Sequence, residues 1–291
     1  MDQAFHLPFN PIEFEKLVET DPRSKDGPVD FCALENEHLV GFVGVWDLPA
    51  RNAIGNVDHI GDIYSVASLP HYGRKGICTT LIERTHGYFR EKDYRFSFLS
   101  TMSTLLAYGL YPKLGYANVT YFPSAYKTVQ YHGTSAYAHA HGENAREELD
   151  LDTTLRIYNE FSRNRTGLAV RDKEYLETLL KTEGIKSRNC VVGEQGYVMF
   201  KRSSKGIQIK EIIAATMREL NKLVKEVESK ARNAAYDRAV MNSELLQVYR
   251  LRHYKIVSRS YGVIMVKPLT EATFRQTYGD RFYVSGLDVG C

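Results

Sequence analysis

The apolar positions in the first 125 residues change period several times. "PIEFEKLVET" (11–20) spaces them as a helix does, with Pro11 in its first turn. "DPRSKDGP" (21–28) then breaks structure. "FCALENEHLVGFVGVWDLP" (31–49) predicts two strands joined by a tight polar turn at Glu35–Glu37. "IGDIYSVASLP" (60–70) is a further strand. Ile77, Leu81, Ile82 and Tyr88 share one face of a predicted helix over Ile77–Tyr88. "YRFSFLST" (94–101) is a fourth strand, and "ANVTYFPS" (117–124) returns to strand. Between them, "STLLAYGLYPKLGY" (103–116) predicts a short helix ending near Pro112, because proline cannot continue one. The pattern is mixed α/β: an antiparallel meander followed by a strand–loop–helix–strand crossover.

A polar stretch, "HGTSAYAHAHGENAREELDLD" (132–152), separates this half from the next. "TTLRIYNEFSRNRTG" (153–167) is helical and stops at Gly167, and "KEYLETLLKT" (173–182) is a second helix. "NCVVGEQGYVMFKRSSKGIQIKEIIA" (189–214) reads as three short strands with glycine turns. "TMRELNKLVKEVESKARN" (216–233) is a long helix with apolar positions at Met217, Leu220, Leu223, Val224 and Val227. The stretch Leu245 to Val289 is strand-rich. The expected organisation is a first domain over 1–130, a linker over 131–150, a second over 151–262, and a strand-rich tail over 263–291.

Composition narrows the function. With 291 residues and a formal net charge of only +3, the chain is globular, and no dense Lys/Arg run suggests a nucleic-acid partner. No apolar run approaches the roughly 18 residues of a membrane helix. Cys32, Cys78, Cys190 and Cys291 lack metal-ligand spacing, and no signal peptide precedes them, which predicts free thiols in a cytoplasmic protein. His132, His139 and His141 form a histidine-rich tract, but no acid or cysteine stands nearby at ligand spacing. A polar loop without a metal is the expectation there.

The densest chemistry lies in "LPHYGRKGICTTLIE" (69–83). A Walker loop needs Gly-Lys in that order, whereas here Lys75 precedes Gly76. A Rossmann fingerprint needs three spaced glycines, and only Gly73 and Gly76 are present. The physics of an anion site survives both exclusions. A strand ends, and a helix begins just after Gly76. Its orphan N–H groups and positive dipole end would face a ligand. Arg74 and Lys75 add charge, and the glycines let the backbone come close. On these residues alone, an ordinary connection with solvated bases stays open.

The stretch resembles motif A of the GNAT acyltransferase superfamily, whose usual pattern is Arg/Gln-x-x-Gly-x-Gly/Ala. Arg74, Lys75 and Gly76 fit it; Gly73 and Cys78 depart from it. "LYPKLGY" (110–116) resembles motif B, in which a tyrosine sits near the acyl sulfur, and Tyr111 matches that tyrosine. The second half resembles the second domain of Eis-like acetyltransferases, a GNAT-like domain without a cofactor loop. The resemblance implies a mixed, mostly antiparallel GNAT sheet with flanking helices, followed by a second GNAT-like domain. It implies acetyl-CoA as co-substrate and a primary amine, on a small molecule or a lysine side chain, as acceptor. It leaves a homo-oligomer open. Eis-like proteins carry a third domain that places the chain's own terminal carboxylate in the active site; only its beginning is resembled here, so that role is not carried over to Cys291.

By the same resemblance, Arg74, Lys75 and the backbone of Gly76, Ile77, Cys78 and Thr79 would hold the pyrophosphate. The backbone of Val66, Ala67 and Ser68 would bond the pantetheine amides and polarise the carbonyl. Tyr111 would return a proton to the leaving thiolate, since its pKa lies near that of a thiol. The base stays unassigned: Glu35, Asp47 and Asp62 are expected as solvated face residues. A rival reading is an acyl-CoA sensor or interaction module without turnover.

Overall fold

The computed structural model describes residues 11–21, 23, 29–129, 149–259 and 262–288. The first half runs α1 (Pro11–Thr20), β1 (Val29–Glu35), β2 (His38–Arg51), β3 (Val57–Ser68), α2 (Ile77–Glu91), β4 (Phe96–Thr101), β5 (Ala117–Tyr121) and β6 (Ser124–Thr128). The second runs α3 (Leu151–Ser162), α4 (Lys173–Thr182), β7 (Cys190–Val192), β8 (Gly196–Ser203), β9 (Gly206–Ala214), α5 (Met217–Lys230), β10 (Ala234–Asp237), α6 (Ser243–Leu251), β11 (Lys255–Val257), β12 (Val263–Pro268) and α7 (Phe274–Tyr278). The chain forms two compact units. One comprises 1–121, 166–170 and 262–282; the other comprises 122–165, 171–261 and 283–291.

The first unit holds a six-stranded sheet in the order β1-β2-β3-β4-β12-β5. Strands β1, β2 and β3 form the antiparallel meander, turning at Asn36 and Glu37, which both take positive φ. Among the described residues, the only parallel pair in this sheet is β3 with β4, linked by α2. One face of α2 buries Leu81, Ile82 and Phe89 on Val43, Val45, Ile63 and Leu99 of the sheet. Strand β12 pairs with both β4 and β5. Residues expected in a separate tail therefore lie inside the first sheet.

The second unit repeats the design with the order β11-β6-β10-β9-β8-β7. Its parallel pair, β9 with β10, is linked by α5, which buries Leu220, Leu223, Val224 and Val227. Strand β6, which precedes the polar stretch, belongs to this second sheet. The architecture is the expected mixed α/β one, with two mostly antiparallel sheets and flanking helices.

Local readings differ in three places. Residues 103–116 form two 3₁₀ turns, Leu106–Gly109 and Tyr111–Leu114, rather than a helix. Pro112 falls in the first turn of the second one, where its missing N–H costs nothing. The strand-rich stretch from Leu245 begins within helix α6, capped by Asn242, with Leu245, Val248 and Tyr249 on its buried face. Met217 is exposed, because it stands in the first turn of α5, ahead of the packed stripe. The tract with His132, His139 and His141 lies outside the described residues, as do 1–10 and Cys291. Among the described residues, no helix is long and apolar enough to cross a membrane, and no three His, Cys, Asp or Glu side chains cluster as metal ligands.

Candidate active site

Strand β3 pairs with β4 at only three positions: Gly61↔Ser97, Asp62↔Phe98 and Ile63↔Leu99. Beyond Ile63, β3 continues to Ser68 while the β4 pairing stops. A bulge makes the change. On β2, Gly44 pairs with Tyr64 and Phe42 with Ala67, so Ser65 and Val66 together stand against Val43. Ser65 takes φ 51° there. A bulge adds twist and turns a strand end away from its neighbour. The parallel pair thus opens into a cleft edged by Val66, Ala67 and Ser68.

The loop after β3 is a 3₁₀ turn, Pro70–Tyr72, closed by the Gly73 N–H donating to the Pro70 carbonyl at 3.1 Å. Arg74 (φ 64°) and Gly76 (φ 83°) are both left-handed, and they swing the backbone into α2. Arg74, Lys75 and Gly76 are exposed, and the Lys75 Nζ lies 4.5 Å from the centre of the Tyr72 ring. The Tyr72 hydroxyl donates to Glu35.

Helix α2 starts without a side-chain cap. Helices α3 to α7 are each capped by a side chain: Asp150, Asp172, Thr216, Asn242 and Thr273. The first amide bonded within α2 is that of Thr80, to the Gly76 carbonyl at 3.0 Å. The N–H groups of Ile77, Cys78 and Thr79 therefore sit at the positive end of the helix, outside its ladder. Gly41 fixes that end close to the sheet, since a Cβ there would come 2.4 Å from Ile77 Cγ2. These features fit an acyl-CoA pyrophosphate: free amides, a helix dipole, two exposed bases and no side chain in the way.

Four side chains gather where the helix end meets the cleft. Cys78, in the first turn of α2, lies near Ser68 at the end of β3. Burial pushes its thiol pKa up, so the thiol is protonated at neutral pH. Tyr111 is 5% exposed and lies beside Cys78 and near Thr101 of β4. Burial first, and proximity to Cys78 second, push its phenol up to about 12, with Thr101 opposing. Ser68, Cys78 and Tyr111 are residues the sequence singled out, and they meet. Val66 and Ile77 both pack, partly buried, against the core of this unit. Arg74 and Lys75 stay on the exposed loop.

Sequence reasoning missed Thr101 and the group behind Tyr111. The Tyr116 ring meets that of Tyr111 edge-on at 6.0 Å. Its hydroxyl lies 2.6 Å from Ser97 Oγ and 2.8 Å from His86 Nε2, and His86 Nδ1 lies 3.1 Å from Lys267 Nζ. Burial, with the charges of Lys267 and Arg90, lowers the His86 pKa to about 3, so the ring is neutral. An ammonium only donates. Nδ1 is therefore the acceptor, and the Nε2–H donates to Tyr116, which donates in turn to Ser97. Tyr116 stands in the "LYPKLGY" run, but neither His86 nor Lys267 carries a local signal.

The three acids left open for the base now separate. Glu35 is exposed at Tyr72, and Asp47 meets His59 Nδ1 at 2.7 Å. Asp62 is 5% exposed, which corrects its reading as a solvated face residue.

Residues 2–116 match the family model described as the acetyltransferase (GNAT) family. No curated protein matches the chain. Among solved structures, the fold resembles a GCN5-related N-acetyltransferase from Kribbella flavida (TM-score 0.64, 17% identity), covering 91% of this chain and 66% of that one. It resembles another from Anabaena variabilis (TM-score 0.61, 17% identity, 92% and 68%). It also resembles Eis1 from Mycobacterium abscessus (TM-score 0.55, 14% identity, 90% and 73%). The chain thus spans about two thirds of the length of the first of these proteins. The stretch over 2–116 that is similar to the acetyltransferase (GNAT) family thus includes this opened parallel pair and the uncapped start of α2.

Proposed function

We propose that the chain is an acetyl-CoA-dependent N-acetyltransferase acting on a primary amine by direct attack in a ternary complex. The observation that carries this is the meeting of Ser68, Cys78, Tyr111 and Thr101 at the cleft where uncapped α2 begins. Arg74, Lys75 and the amides of Gly76 to Thr79 hold the pyrophosphate. The edge of Val66 to Ser68 holds the pantetheine and polarises the thioester carbonyl. Tyr111 keeps its proton through neutral pH and gives it to the thiolate as the C–S bond breaks. The alternative of a covalent acetyl-cysteine is disfavoured: Cys78 has a raised thiol pKa, and the thiolate is the nucleophile.

The arrangement of two GNAT-like units in one chain supports an Eis-like relationship, with one acetyl-CoA in the first unit. The free thiols Cys32, Cys78 and Cys190 support a reducing, cytoplasmic setting. The acceptor is a small-molecule or lysine-type amine. Two measurements test the reading. Acetyl-CoA should raise the melting temperature by mass action. Free thiol should then be released in the presence of at least one amine from a broad panel. Binding without thiol release across the panel would favour a sensor.

A further inference from the structure

The second unit has a break of its own in its parallel pair. Strand β9 pairs with β10 at Ile207↔Ala235, Gln208↔Tyr236 and Ile209↔Asp237, where β10 ends, and then runs on to Ala214. Lys210 is an extra residue just past the last pair: Phe200 of β8 stands against Ile209 and Met199 against Glu211. On the other side the chain turns away from β9. The Ala239 N–H donates to Asp237 Oδ1 at 2.9 Å, and the Val240 N–H donates to the Pro123 carbonyl at 2.9 Å. A bulge beside a strand that stops early leaves an opening in the sheet, between Glu211 and Asp237.

The segment Val284–Asp288 stands at this opening. Ser285 and Gly286 line it together with Lys210, Glu211 and Asp237, and the space left among them is about 10 Å³. That is room for one water at most. All five residues of the segment are buried, yet they belong to no helix or strand. They hold a turn of their own: the Asp288 N–H donates to the Ser285 carbonyl at 3.1 Å, and the Leu287 N–H to Ser285 Oγ at 3.2 Å. Two side chains then bond the unit. The Ser285 hydroxyl donates to Glu211, and Asp288 accepts from Arg171 at 2.9 and 3.0 Å.

The groups that receive the segment are fixed without it. Arg171 makes two bonds to Glu211 and lies 4.1 Å from the centre of the Tyr158 ring, and Tyr197 donates to Glu211 at 2.6 Å. A guanidinium and a carboxylate, both buried and held by their own partners, present one donor pair and one acceptor to whatever fills the opening. Val284 and Leu287, 3% and 1% exposed, add apolar burial. A few convergent polar groups that set orientation, beside apolar contact, are the make-up of a ligand site. We infer that this opening is a peptide-binding site, that its ligand is the chain's own segment Val284–Asp288, and that it reads a serine hydroxyl and an aspartate three residues later through Glu211 and Arg171. The second unit is thus a peptide-recognition module filled in cis.

The test uses the full chain carrying Ser285→Ala and Asp288→Asn together. The variant keeps the Arg171–Glu211 pair and should melt below wild type. A synthetic peptide of residues 283–288, YVSGLD, blocked at both ends, should raise its melting temperature by about 3–6 °C at a tenfold excess over the dissociation constant. The peptide should leave wild type unmoved, because there the site is filled. A control peptide, YVAGLN, should shift neither protein. No shift of the folded variant with YVSGLD, or equal shifts with the two peptides, would overturn the inference. So would a shift of the variant by pantetheine in place of YVSGLD. Hydrogen exchange on the wild type is the second measurement, and it decides the case if the variant does not fold. A docked segment opens by itself, so the Leu287 and Asp288 amides should exchange at least about tenfold faster than those of β9. Exchange at the β9 rate would mark the segment as an inseparable part of the core and overturn its reading as a ligand.

Discussion

Tyr64 lies flat across Gly44: a Cβ placed on Gly44 would come 2.2 Å from Tyr64 Cζ. The two residues are paired across β2 and β3, and Gly44 is paired in turn with Asp30 on β1. The missing side chain on the middle strand lets the phenol reach Asp30 and stack on Trp46 at 4.0 Å. Gly44→Ala should therefore cost about 1–3 kcal/mol by overpacking, seen as a lower melting temperature. In a Tyr64→Ala background the same change should cost almost nothing, because the clash is gone. Equal costs in both backgrounds would show that the ring does not fill the slot.

Much of this was legible in the sequence. Helix and strand periods are local, so α2, the meander and α5 announce themselves. The loop that carries Arg74 and Lys75 was legible because its residues are neighbours in sequence, whereas Tyr111, expected in a short helix, stands in a 3₁₀ turn. The insertion of β12 between β4 and β5 was not legible. Val263 to Pro268 looks like any buried strand, and pairing across more than 140 residues leaves no local trace. The burial of Asp62 was hidden for a similar reason. A carboxylate at an alternating position normally faces water, and that this one is covered follows from the strands paired on both sides of it.

Arg74 and Lys75 are exposed, with no buried contact to lose. Replacing both with alanine should leave the melting temperature of the free protein nearly unchanged. It should weaken acetyl-CoA binding by about 2–4 kcal/mol, taking each as one charge-assisted contact to phosphate. The loss should shrink as salt is raised. An unchanged dissociation constant by calorimetry would remove this loop from the site.

One acetyl-CoA should bind per chain. In the second unit, β9 leads to α5 through Ala215 and Thr216, and the Thr216 side chain accepts from the Glu219 amide. That helix start is short-looped and self-capped, so it offers a phosphate neither a loop nor the full set of amides that α2 leaves open. Calorimetry returning two sites would contradict this.

Tyr111→Phe keeps the ring that meets Tyr116 and deletes the proton. Turnover should fall on the order of 100- to 10,000-fold, with acetyl-CoA affinity unchanged. The melting temperature should drop by no more than one side-chain hydrogen bond is worth, about 1 kcal/mol. In the wild type, ionisation of Tyr111 should cause no loss of turnover until the pH approaches about 12. The sign for stability follows. Above an ordinary tyrosine pKa of about 10 the unfolded chain releases this proton, while the folded one keeps it. The group therefore favours unfolding progressively between those two values. Turnover within about threefold of wild type would exclude Tyr111 as the acid.

Arg171 carries the strongest electrostatic prediction for the second unit. Its guanidinium reaches Glu211 at 2.7 and 2.9 Å and Asp288 at 2.9 and 3.0 Å, and all three side chains are buried. Tyr197 donates to Glu211 at 2.6 Å, and Ser285 donates to it as well. Burial alone would raise the Glu211 carboxyl; the charge of Arg171 and these donors outweigh it and hold the pKa below its ordinary value. Arg171→Met would leave two buried carboxylates without their cation, costing about 3–5 kcal/mol. Because the folded pKa of Glu211 is depressed, its contribution is present above the ordinary glutamate range and is lost as pH falls through it. Urea melts from pH 7 to pH 3 should show wild type losing stability with acid. Glu211→Gln, less stable at pH 7, should lose less over the same interval. Parallel losses in the two proteins would show that Glu211 is not held ionised by Arg171.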